Sequence, residues 1–110
     1  MLKFYKVNDQ IVINGTEGEE IVPNTVDAAF EKHVPVVEHE GEHVIVKVGS
    51  VEHPMLEAHY IQWIVLETAT DYQKKDLKPG EKPVADFAVT EPVVAAYEYC
   101  NLHGLWKAEA

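Results

Sequence analysis

The chain has 110 residues, 46% of them hydrophobic, enough for one compact domain with a real core and little more. Its formal net charge is −10 and it has no arginine, which argues against nucleic acid and against anionic lipid as partners. No stretch approaches the roughly 18 consecutive apolar residues of a membrane span, and a single cysteine can make no internal disulfide.

Near the start, FYKV and QIVI read as a short hairpin around Asn8-Asp9. The opening MLKFYKVNDQ has no apolar signal region, so the expected location is the cytoplasm. NGTEGEEIVPN gathers turn-forming and acidic residues and sets a soft boundary near Gly18–Pro23. NTVDAAFEKH has a helical look, with Asn24 as the cap and Asp27 completing a weak capping box. VPVVEHEGEHVIVKV alternates apolar and polar residues and turns at Glu40-Gly41-Glu42, as a half-buried hairpin would. IQWIVLET is apolar on both faces and suits a central strand. DYQKKDLKPGEKP carries Lys74, Lys75, Lys78 and Lys82; it reads as a solvated loop or, alternatively, as a small docking patch for an acidic partner. VADFAVTEP and VVAAYEYC add two more strands. Several short strands at regular spacing in so short a chain predict an all-β fold, an immunoglobulin-like β-sandwich with a short N-terminal hairpin and one short helix.

The chain closes on YCNLHGLW, where Cys100 precedes His103 by three residues. A thiol and an imidazole that close can share one metal ion, or the thiol can fill a gap in the core. The six histidines bear on the choice. His39 and His43 flank the expected hairpin turn, where side chains meet water. His33, His53, His59 and His103 each stand where a strand or helix gives way to a loop. Loops at one end of a sandwich gather in space, so these four and Cys100 can converge. Imidazole and thiolate favour zinc, copper or iron over calcium or magnesium. Five donors exceed the tetrahedral set of structural zinc and suggest a square pyramid with one open position. Trp63, Trp106 and Tyr99 read as packing residues, and Pro35 and Pro54 as stiffeners of the ligand-bearing loops. Gly104 lets the chain leave the turn without a Cβ clash.

EKHVP, HPM, HYIQWI and YCNLHG, in that order, resemble the superoxide reductases, the group that includes desulfoferrodoxin and neelaredoxin. The resemblance runs from about Asn24 to the C-terminus. It implies one-electron reduction of superoxide to hydrogen peroxide at a mononuclear non-haem iron, cycling between Fe2+ and Fe3+. By motif position the equatorial ligands are His33, His53, His59 and His103, and the axial ligand is Cys100. Glu31 takes the place of the family's sixth, ferric-state ligand, and Lys32 that of the lysine that attracts the anionic substrate. The chain departs from desulfoferrodoxin at the front: the four cysteines that hold a second iron there are missing, so no second four-cysteine centre is expected. Residues 1–23 then read as a shortened, metal-free remnant of a desulforedoxin-like domain, and residues 24–110 as the iron-binding sandwich. The family further implies rubredoxin or a similar electron donor and a homo-oligomer, dimer or tetramer. The competing readings are a cupredoxin-like electron-transfer protein, although no methionine follows Met55 to act as its axial ligand, and a structural zinc domain.

Overall fold

The computed structural model describes residues 2–25, 33–49 and 53–109 and is all-β, an immunoglobulin-like sandwich with an added N-terminal sheet. β1 (Phe4–Val7) and β2 (Gln10–Ile13) form the expected hairpin. Asn8 and Asp9 both adopt positive φ, 47° and 64°, the backbone that a two-residue hairpin turn demands and that these side chains tolerate. β3 (Glu19–Ile21) pairs with the free edge of β1, giving the order β2-β1-β3.

β4 (Pro35–Glu40) and β5 (His43–Val48) are the second expected hairpin, and β8 (Val84–Ala88) joins β5. Facing them is a sheet of β10 (Gly104–Glu109), β9 (Val93–Cys100), β6 (Ile61–Thr68) and β7 (Tyr72–Asp76), in that order. Val44, Val46 and Val48 point into the space between the sheets, against Ile61, Ile64, Leu66, Ala96 and Cys100. On the other side of the same sheet, Trp63, Val65, Ala95, Tyr97 and Leu105 pack against Phe4. β6 therefore buries both faces, which explains its unbroken apolar run. Fully burying a side chain such as Ile64 or Leu66 contributes about 1.5–3 kcal/mol.

Two expectations require correction. The lysine-rich stretch is not all loop, because Tyr72–Asp76 forms an exposed edge strand paired with β6. Asn24 does not spend its side chain on a helix cap: Nδ2 donates to the Leu105 carbonyl at 3.2 Å, beside a parallel bridge to Trp106. The body of the expected helix falls on residues 26–32, outside the described residues. Among the described residues there is no helix long and apolar enough to cross a membrane.

The end of the sandwich at the β6–β7 turn is held by Glu91. Its carboxylate accepts hydrogen bonds from the hydroxyls of Thr68 and Thr70, the latter at 2.8 Å. These bonds hold the Glu91 carboxyl below its ordinary value of 4.5. A lowered carboxyl pKa stabilises the fold above the unfolded-state value, and that contribution fades as pH falls through the folded one. Glu91→Gln should therefore melt below the wild type at pH 7, with the gap closing on acidification. Thermal denaturation across pH checks this.

Candidate metal centre

Five chemistry-bearing side chains meet at the opposite end of the sandwich. Strand register brings them there: Pro35 pairs with Val48, Ile61 with Cys100, and Cys100 with Gly104. His33 sits two residues before β4, and His53 and His59 lie on the connection from β5 to β6. Cys100 ends β9, and His103 stands in the turn that leads into β10.

The four imidazoles form a closed circuit. Ring centroids lie 4.8 Å apart for His33–His53, 4.7 Å for His53–His59, 4.9 Å for His59–His103 and 4.6 Å for His103–His33. Each ring is edge-on to the next, with interplanar angles of 64° to 79°. The Cys100 sulfur lies 3.6 Å from His53 Nε2 and 3.8 Å from His103 Nδ1, which are opposite corners of that circuit. The sulfur thus lies about equally far from both ends of one diagonal. One donor atom from each of the five residues lies within 4.8 Å of every other. Bonds of about 2.0–2.3 Å to a common ion span such a set.

The surroundings fix the donors. His53 is buried, and its Nδ1–H donates to the Pro54 carbonyl at 2.7 Å, leaving the Nε2 lone pair turned toward the sulfur side. A hydrogen bond of this kind sets both tautomer and ring angle. Burial is the main reason the His53 pKa falls to about 4, with His33, His59 and His103 adding repulsion, so this ring is neutral and available at neutral pH. Burial pushes the Cys100 thiol up; the backbone N–H groups of Leu102 and His103 pull it back, and the buried Glu98 adds a push upward. The thiol therefore keeps its proton until a cation displaces it, which makes binding proton-coupled. Gly104 leaves the turn at φ 85°, a left-handed angle that favours glycine, although a Cβ there would meet nothing within 4 Å.

Asn101, inside the C-x-x-H segment, ties the two ligand loops together. Its Oδ1 accepts from Tyr60 N and its Nδ2 donates to the Ala58 carbonyl, both at 3.0 Å. The sequence reading missed Asn101, and it missed the Pro54 carbonyl, because neither side-chain type nor spacing marks such partners. It also placed Trp106 among the packing residues; the indole is buried but stacks on His33. Glu31 and Lys32 lie outside the described residues. His39 and His43 stay away from the cluster, exposed as expected, with His43 paired to Asp86 at 2.8 Å.

Four imidazoles and a thiol exceed the four donors of a closed structural zinc site and the trigonal His2Cys set of blue copper. The set fits a mid-row transition ion with mixed nitrogen and sulfur ligation and a position left over.

Comparison with known proteins points the same way. The model of the desulfoferrodoxin family matches residues 25–109. A desulfoferrodoxin homolog of Archaeoglobus fulgidus is 48% identical over 99 residues, covering 90% of this chain and 79% of its own. The crystal structure of the superoxide reductase from Treponema pallidum superimposes with a TM-score of 0.84 at 40% identity, covering 99% of both chains. The superoxide reductase (1Fe-SOR) of Giardia intestinalis gives 0.64 at 35% identity, covering 73% of this chain and 97% of that one.

Proposed function

The chain belongs to the desulfoferrodoxin family, and from that we propose that it is a superoxide reductase, an oxidoreductase that converts superoxide to hydrogen peroxide with one electron and two protons. The observation that supports this most is the closed square of four imidazoles with a thiol 3.6 and 3.8 Å from two opposite corners. An iron ion bound there would supply the electron, passing from Fe2+ to Fe3+.

The protein's own groups do the rest. His33, His53, His59 and His103 would hold that iron with four imidazole donors, and Cys100 would supply the one anionic donor of the ferrous state and its electron density. The N–H groups of Leu102 and His103 are directed at that sulfur and temper its donation. Glu31 would be a further ligand to that iron in its oxidised state, as the family resemblance implies. Lys32 draws in the anion, a task that matters because the whole chain is strongly acidic. At physiological salt, charges beyond about 8 Å are damped, so local charge rather than the total charge of the chain governs the approach of the anion. Lys32→Ala should slow the bimolecular reaction and weaken its salt dependence while leaving the visible spectrum intact. Pulse radiolysis at two ionic strengths measures both.

The chain also needs an electron donor. Lys75, Lys78 and Lys82 are exposed, whereas Lys74 is held by Asp76 at 3.5 Å and by the Trp63 ring. The turn that carries Lys78 and Lys82 is tied to the His53 loop by Gly80 N donating to the Met55 carbonyl at 2.8 Å. His53 and Lys82 line a shared cleft of about 380 Å³. This is our candidate docking patch for rubredoxin or a similar acidic carrier. We place the protein in the cytoplasm as a dimer or tetramer, with residues 1–23 a metal-free remnant domain.

Mixing the anaerobic, iron-loaded ferrous protein with superoxide tests the activity. Rapid second-order loss of superoxide is expected. Decay no faster than in buffer would overturn it.

A further inference from the structure

We infer that Trp106 is a positioning residue of the metal centre, one side chain that sets the orientation of two donors from distant parts of the chain. The inference rests on the reading of the five clustered residues as metal ligands.

Three contacts carry it. The indole lies flat on the His33 imidazole, with centroids 4.9 Å apart and an interplanar angle of 16°. This is the stacked contact in the set: the neighbouring imidazoles meet His33 at 64° and 67°. The same indole donates Nε1–H to the His103 carbonyl at 3.1 Å. Its backbone stands at the bridge to Asn24, where Asn24 N donates to Leu105 O and Lys107 N donates to Asn24 O, both at 2.9 Å. Asn24 is thus anchored beside Trp106, and His33 itself lies against the indole.

The physical consequence concerns rotation. His33 and His103 face each other, with Nε2 and Nδ1 3.0 Å apart. Neither ring is deeply buried: His33 is partly exposed and His103 exposed. Burial cannot lock them as it locks His53. The indole face stops the His33 ring from turning about its Cβ–Cγ bond, and the Nε1 hydrogen bond holds the peptide that precedes Gly104, fixing the His103 turn. Trp106 is itself only 9% exposed, so it is a rigid wall against which both can be held. Outer partners of metal ligands typically change affinity by about 10–100-fold when lost.

The test uses Co(II) as the probe metal, since its d–d bands report ligand geometry without turnover. Trp106→Leu removes both the stack and the hydrogen bond. It should raise the Co(II) dissociation constant about tenfold or more and shift the d–d bands. Trp106→Phe keeps an aromatic face but loses the donor, so the band positions should stay close to wild type while affinity falls by a smaller factor. Phe87→Leu, in the core at the far end of the sandwich, is the control for a general loss of stability. It should lower Tm and leave the Co(II) constant and bands unchanged. A Trp106→Leu protein with wild-type Co(II) affinity and bands would overturn the inference, as would Phe87→Leu moving them equally. His33→Ala binding Co(II) like wild type would instead refute the five-donor reading on which it rests.

Discussion

Cys100→Ala is expected to fold, to bind iron at least tenfold more weakly, and to lose superoxide reduction by about a hundredfold or more. Stability should change little, because removing one buried sulfur leaves a small void, on the order of 1 kcal/mol. The functional loss is large for an electrostatic reason. In the proposed ferrous site the other four donors are imidazoles, so the thiolate would be the sole ligand that offsets the charge of the ion. Its sulfur lies beside both His53 Nε2 and His103 Nδ1, at 3.6 and 3.8 Å. The ferric protein should also lose its thiolate absorption in the visible. Melting curves of the metal-free variant, taken beside the visible spectrum and a superoxide assay, separate the lost ligand from a lost fold.

Phe4→Ala carries the largest expected cost in stability, about 3–5 kcal/mol. Phe4 is fully buried although it lies four residues from the N-terminus. Its ring stacks on Trp63 at 5.9 Å and tilts against Tyr97 at 4.8 Å. The N-terminal sheet is therefore fastened to the outer face of the β6–β9 sheet through one aromatic anchor, with Ile11, Ile13 and Ile21 packed around it. Truncation should loosen that sheet and expose Trp63. The iron spectrum of the folded fraction should be unchanged, because none of the five clustered residues belongs to the core that surrounds Phe4. Urea denaturation followed by tryptophan fluorescence measures the cost; a loss under 1 kcal/mol would show that the N-terminal sheet adds little to the fold.

How much of this was legible in the chain depends on which signal each element leaves. Asn8-Asp9 announced its hairpin because a positive-φ turn needs such residues. Val44, Val46 and Val48 announced theirs by alternation across a single buried face. The clustering of His33, His53, His59, His103 and Cys100 was legible because histidines stood at strand ends and because their motifs matched a family; their distances were not. β7 left no trace, since all five of its residues are exposed and its pairing is set by β6 rather than by its own pattern. Asn24, Asn101 and Trp106 were misread or missed for a related reason. Each acts through a backbone carbonyl or a ring face brought near by tertiary structure, and no spacing in the chain encodes such a partner.

X-ray absorption at the iron edge of the reduced, loaded protein tests the central claim most directly. One sulfur and four imidazole nitrogens around a single iron is the predicted result, with the sulfur contribution gone in Cys100→Ala. A spectrum without sulfur in the wild type, or one unchanged by that substitution, would contradict the account.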